Sequence, residues 1–223
     1  SSDLIADNDT GGTITLNAVD TGWYDSTGFH SPTNPNYLVG DNTTALYRNW
    51  FTFNLPTLTA PIVSAQLKVN TFDYDSNSGT SETYQLREVT TAVPTLTAGG
   101  SGLTAIYNDL GDGAIYGSRD YTNADDNQIR TIDLNAAAIS ALTAKSGQAF
   151  ALGGLVTTLD TISNNEYVFG FSNSVVPADV QLILNTGTPL PVITVVANDA
   201  DAGEPANPGQ FTLTRTEIGR AHV

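Results

Sequence analysis

The chain has 223 residues, with 23 Asp and Glu against 8 Lys and Arg, for a formal net charge of −15. A field of that sign repels polyanions, so nucleic acid and anionic membrane surfaces are excluded as partners. The sequence holds neither Cys nor Met, which removes disulfides, thiolate metal sites and Cys nucleophiles.

Charged residues make up only 14%. Thr, Asn, Ser and Gly carry the polarity instead, a balance typical of extracellular β proteins. No apolar run approaches the roughly 20 residues of a membrane span, so no membrane insertion is expected. The chain opens Ser1-Ser2 without an initiating Met, as a mature chain would after signal-peptide removal. A secreted or surface-held protein is therefore expected.

In chain order, residues 1–12 read as an N-terminal extension that includes the oxygen-rich Asp7-Asn8-Asp9. Period-2 alternation then dominates. Ile14, Leu16 and Ala18 share one face of TITLNAV, and Phe51, Phe53 and Leu55 one face of RNWFTFNL, with Trp50 opposite. Ala65, Leu67 and Val69 alternate in SAQLKVN, and the beat returns in ETYQLREV, in NEYVFGFS through Tyr167, Phe169 and Phe171, and in ADVQLILN through Val180, Leu182 and Leu184. Turn signals separate these runs: SPTNPN, DSNSG, GDG, NADDN and SNN. One segment, LNAAAISALTAKSG, breaks the rhythm. Asn135 is its N-cap, Ile139 and Leu142 form one side, and Gly147 stops it.

Half-buried strands with one short helix predict an all-β fold. The expected form is an antiparallel two-sheet sandwich of jelly-roll type over residues 13–186, its helix plugging one end. Residues 187–191, with Pro189 and Pro191, read as a stiff linker. A C-terminal β extension follows, with strand-like runs at 192–197 and 210–216 flanking an acidic, Pro/Gly-rich loop.

The run from Asn17 to Val69, with SETYQLREVTT, GLTAIYNDLGDGAIYGS and FALGGLVTTLD, resembles a bacterial secreted β-sandwich family whose members often carry PEP-CTERM sorting signals. More distantly it is similar to DNRLRE modules, some of which bind carbohydrate. The resemblance implies fold and compartment, extracellular or at the bacterial cell surface, and no chemistry. VITVVANDADAGEPANPGQFTLTRT, over residues 192–216, resembles the first two strands of a Calx-beta domain, whose acidic loop would bind Ca²⁺. Residues 217–223, EIGRAHV, resemble a translated sequencing adapter. That would make Arg220 and His222 artefactual and place the gene's true end beyond Thr216.

Four oxygen-rich clusters are candidate Ca²⁺ ligands. Asp73, Asp75 and Asn77 place an oxygen at every second residue, as a hard cation requires. Asp199 and Asp201, the 123–127 stretch and the 7–9 stretch are similar. Asp, Asn and Gly are also ordinary turn formers, so each loop has a plain structural reading beside the metal one. Trp23, Tyr24 and Trp50 are candidate ligand or interface aromatics. An exposed platform of such rings beside Asp and Asn would stack on a sugar, and aromatics equally suit subunit contacts.

No nucleophile elbow accompanies His30, which reads as a loop residue that fixes the 25–38 connection. Glu82, Glu88 and Glu166 could supply a glycosidase carboxylate pair, but outward strand positions are the commoner home of such acids. No enzyme is expected.

The expected function is a non-enzymatic structural subunit of a surface or matrix filament. Copies would associate head to tail through Val192, Ile193, Val195, Phe211 and Leu213, since an unpaired sheet edge accepts an incoming strand. Polysaccharide binding is the alternative, and no cofactor other than Ca²⁺ is expected.

Overall fold

Alternating apolar residues are buried only when each strand lays one face against a neighbouring layer. The chain meets that requirement with two antiparallel sheets packed face to face. The computed structural model describes residues 11–76, 81–160, 165–170, 175–187, 193–197 and 211–215. Its strands are β1 (Gly12–Asn17), β2 (Asp20–Asp25), β3 (Val39–Asn42), β4 (Leu46–Asn54), β5 (Ile62–Thr71), β6 (Glu82–Glu88), β7 (Ile115–Tyr121), β8 (Gln128–Leu134), β9 (Ala149–Val156), β10 (Asn165–Val168), β11 (Val180–Thr186), β12 (Ile193–Ala197) and β13 (Phe211–Arg215). The helices are α1 (Val93–Ala98), α2 (Thr104–Asp112) and α3 (Ala136–Ala144).

The first sheet has the order β1-β11-β5-β8; the second runs β10-β3-β4-β9-β6-β7, with β2 also paired to β4. Every pairing is antiparallel. Between the sheets lie Phe51, Phe53, Leu67, Val69, Tyr84, Leu86, Leu182 and Leu184, from the segments whose alternation the sequence pattern showed, together with Leu152 of β9. The opposite face of the first sheet is open and polar. There Gln66 bonds Asp133, Lys68 bonds Gln181, and Asn185 bonds Ser64 across neighbouring strands.

Two expectations fail. The single expected helix is α3, whose N-cap Asn135 accepts from the Ala138 backbone N–H at 3.1 Å, but α1 and α2 accompany it. They lie against the outer face of the second sheet, where Leu96, Ile106, Tyr107 and Leu110 pack with Tyr24, Trp50 and Ala151. Arg48 fastens this layer: its guanidinium donates to the Tyr107 and Asn108 carbonyls, both at 3.0 Å, and stacks 4.4 Å from the Tyr107 ring centroid. The second failure is the beat through Tyr167, Phe169 and Phe171. Phe169 has φ 71°, a left-handed conformation that breaks the alternation and turns its ring into the core beside Val168. Phe171 lies outside the described residues.

A buried polar relay crosses the second sheet. The Tyr84 hydroxyl donates to Asn49 Oδ1 at 2.9 Å, and Asn49 Nδ2 donates to the Tyr37 carbonyl at 2.9 Å. The relay needs Gly154: a Cβ there would meet Tyr84 Oη at 2.0 Å and Asn49 Oδ1 at 2.5 Å. At the turn between β7 and β8, Asp125 accepts from Arg119, Arg130 and the Thr122 backbone N–H. Burial alone would raise its carboxyl, but these bonds outweigh burial and hold it below the ordinary carboxylate value.

Gly154→Ala is expected to lower stability by about 1–3 kcal/mol through overpacking, with part of the loss recovered in Gly154→Ala/Tyr84→Phe; thermal melts of both variants check this. For Asp125, a folded pKa below the unfolded one means its stabilisation is full above the unfolded value near 3.8 and disappears as pH falls through the folded value. Asp125→Asn is therefore expected to melt lower than wild type at pH 7, with the gap closing towards pH 3.

Candidate functional site

Three places carry the residues that the sequence singles out: the aromatic face of β2 and β4, the acidic end of the sandwich, and the C-terminal hairpin. Tyr24 and Trp50 do not form an exposed platform. Both have zero exposure, because the outward face of β4 is roofed by α1 and α2. Period-2 alternation placed Trp50 correctly on the face opposite Phe51 and Phe53, and the unexpected helical layer seals that face. Tyr24 donates its hydroxyl to the Leu96 carbonyl at 2.8 Å, holding α1 on the sheet. Burial raises that hydroxyl's pKa. Gly22 stands opposite Trp50 in the strand register; a Cβ there would meet the indole at 2.5 Å and His30 at 2.8 Å.

His30 itself is buried, with ring centroids of Tyr24 and Trp50 at 4.9 and 5.4 Å. Burial lowers its pKa, opposed in part by the Trp23 backbone. Its backbone bridges to Gly100 in both directions, so it does fix the loop that follows β2. Trp23 alone of the three named aromatics is partly open. It packs edge-on against Tyr47 at 4.9 Å and lies 6.2 Å from Phe29, which is 40% exposed.

The loop after β5 places Asp73 and Asp75 against β10. Asp73 Oδ2 accepts from the Tyr167 hydroxyl at 2.8 Å, and Asp75 exchanges backbone hydrogen bonds with Tyr167 at 3.1 and 2.9 Å. Asn77, Asp199 and Asp201 lie outside the described residues, as do residues 7–9, 188–192 and 217–223. Next to this loop stand three acids that the sequence misjudged or passed over. Asp41, Glu82 and Glu166 are each 1% exposed, whereas Glu82 and Glu166 were expected to point outward. The signal for Glu82 was legible, since it is in phase with inward Tyr84 and Leu86. Glu166 was misphased by the false beat through Phe169, and Asp41 was passed over because its strand, Val39–Asn42, is too short to show an alternation.

Glu82 accepts from Ser76 Oγ at 3.0 Å and Thr158 Oγ1 at 2.5 Å. Glu166 accepts from the Asp160 backbone N–H at 3.1 Å, and Asp41 Oδ1 from the Thr43 backbone N–H at 2.7 Å. Asp41 Oδ2 is buried with no hydrogen-bond partner. Burial raises the Glu166 carboxyl, and the acids Asp160 and Glu82 push it the same way. Among the described residues no group of three or more His, Asp or Glu side chains is placed to hold a metal ion.

The C-terminal hairpin is a sheet of its own. β12 and β13 pair with each other and, among the described residues, with neither sandwich sheet. The register sets Val195 opposite Leu213, Ile193 opposite Arg215, and Ala197 opposite Phe211. Val195 is 61% and Leu213 62% exposed, and Val196 is exposed as well.

A cleft of about 260 Å³ opens between the segment after β6, α3 and β9, lined by Glu88, Thr91, Tyr116, Lys145 and alanines. Tyr116 is pushed up to about 12, first by burial and then by the Glu88 carboxylate. Glu88 is the one acid lining the cleft, so it presents no second carboxylate for glycoside hydrolysis. No family model and no curated protein matches this chain.

Proposed function

We propose that the protein is a non-enzymatic extracellular structural subunit whose copies join head to tail through the β12–β13 hairpin. The observation that carries this reading is the Val195–Leu213 pair, apolar and more than half exposed on a hairpin outside both sandwich sheets. A two-stranded hairpin is marginal by itself in water and gains stability by laying its apolar face on another surface. The sandwich offers acceptors: β1 is an edge strand of the first sheet, and Val63 and Ile129, on β5 and β8, are exposed. A heterologous contact of this kind, where it does not close on itself, propagates as a fibre. The net charge of −15 opposes such contacts between copies, so added salt, which screens repulsion, favours them.

Polysaccharide binding is the second reading, favoured by the half-open Trp23–Tyr47–Phe29 group. It shifts the decisive residue away from Trp50, whose removal would damage the packing under α1 and α2.

Negative-stain images and light scattering of the purified chain are expected to show concentration-dependent elongated particles that grow with salt. Val195→Ser/Leu213→Ser should leave monomers with an unchanged sandwich melting temperature. A wild-type chain that remains monomeric at all concentrations and salts overturns the filament reading. In that case, cellulose or alginate pull-down that is lost in Trp23→Ala establishes the second one.

A further inference from the structure

An unpaired sheet edge presents a row of backbone N–H and C=O groups, so the edges decide where a sandwich can accept another strand. Among the described residues most edges of the two sheets are closed. The outer side of β10 is taken by Asp75, which exchanges backbone hydrogen bonds with Tyr167. β7 and β8 lie along each other: the Asn135 backbone N–H donates to the Tyr116 carbonyl at 2.8 Å, and a Cβ on Gly117 would meet the Asp133 carbonyl at 2.6 Å. Both strands also carry charges, Arg119 and Asp120 on β7, Arg130 and Asp133 on β8. β2 carries Asp20 and Asp25 and is tied through Thr21 Oγ1 to the Pro35 carbonyl. The β1 edge differs. Its sequence, GTITLN, holds no charge and no proline in a chain of net charge −15, so it lacks the usual guards against an incoming strand.

The alternation along that edge selects its partner. The Ala18 N–H donates to the Val180 carbonyl, and Ala18 is in phase with Ile14 and Leu16. The even-numbered residues of β1 therefore bond β11, and the backbone groups of Thr13, Thr15 and Asn17 face the open side. Side chains alternate too: Ile14 and Leu16 pack on the core, while Thr13 and Asn17 bond Asn185 and Gln181 on the polar outer face. β13 repeats this pattern. Leu213 shares one hairpin face with Val195, and Thr212 and Thr214 lie on the other. With Leu213 continuing the inward row, those threonines fall beside Thr13 and Thr15, and cross-strand threonine pairs are favourable. β12 fits less well, because Val196 stands on the face where β13 has threonines.

We infer that β13 of one copy adds to the β1 edge of the next, extending the first sheet with Leu213 inward and Thr212 and Thr214 outward. Backbone bonds would supply the affinity and the alternate side chains the register. The inference rests on the head-to-tail reading and names its acceptor surface. Among the described residues the chain's own hairpin is not paired with β1, so a second copy supplies the strand.

The full chain contains no Cys, so engineered thiols report only the designed contact. Thr13→Cys or Thr15→Cys is mixed with Thr212→Cys, Thr214→Cys or Leu213→Cys and oxidised. Covalent dimers are expected with Thr212→Cys or Thr214→Cys and not with Leu213→Cys, whose Cβ points to the opposite face, because a disulfide needs Cβ atoms about 3.8 Å apart. Thr15→Pro removes an open-side N–H and leaves the bonds to β11 in place. It is expected to abolish the elongated particles while the sandwich keeps a cooperative melt. Particles that persist in Thr15→Pro, or cross-links formed equally well by Leu213→Cys, overturn this acceptor and leave the filament reading standing. A wild-type chain that never associates overturns both. A disulfide confined within single chains of Thr15→Cys/Thr214→Cys shows the hairpin folding back on its own sandwich, and overturns the inference as well.

Discussion

The middle of strand β4, residues 49–53, is buried on both faces, and most of the architecture follows from that constraint. Its inward side sends Phe51 and Phe53 between the sheets, while its outward side sends Trp50 under α1 and α2. That stretch has no solvent face on which to place a polar group, so each polar residue within it needs a fixed partner. Asn49 finds two, the Tyr84 hydroxyl and the Tyr37 carbonyl. Arg48 reaches the carbonyls of α2 and so converts a potential liability into the clamp for the helical layer. The two glycines flanking β4 are explained by the same crowding: Gly22 makes room for the Trp50 indole, and Gly154 for the Tyr84–Asn49 bond.

The parts legible from sequence were those governed by local periodicity. Strands β1, β4, β5, β6 and β11 follow apolar alternation, and Asn135 marks the start of α3 because a side-chain cap is a local interaction. What escaped is non-local. The α1–α2 layer consists of 6- and 9-residue helices, too short for a strong period. One begins near Pro94 and the other lacks a side-chain cap, although Ile106, Tyr107 and Leu110 did hint at a helical face. Missing that roof turned two buried aromatics into a supposed binding surface. The acids failed differently: Phe169's left-handed backbone shifted the phase of β10, and with it the predicted direction of Glu166. No composition or spacing rule announces a single positive φ at an aromatic residue.

Charge is distributed unevenly between structure and surface. Asp125 and Asp109 act as anchors, satisfied by two arginines in one case and by the backbone and hydroxyl of the Thr90–Thr91 pair in the other. Asp41, Glu82 and Glu166 are buried more deeply, and among the described residues none of them is ion-paired. Apolar groups show a comparable division. Most are sealed between layers, whereas Val195 and Leu213 stand open on a small hairpin. Both departures mark places where, among the described residues, a group is left without the partner that its kind has elsewhere in the fold.

The pairing of β1 with β11 has a bearing on how the molecule is made. Gly12 meets Thr186 and Asn17 meets Gln181, so the sandwich's first strand waits for its last, and β11 is also the partner that links β1 to β5. During synthesis β5 can pair with β8, but its other edge remains open until some fifty further residues have emerged. Closing that gap spends loop entropy before the contacts that repay it form, and non-local pairings of this kind fold more slowly than local ones. In the interval the exposed edge presents Ala65, Leu67 and Val69 to any extended segment nearby. The polar outer face of this sheet, with Gln66, Lys68 and Asn70 alternating between those residues, keeps the unfinished edge in water long enough for the right strand to arrive.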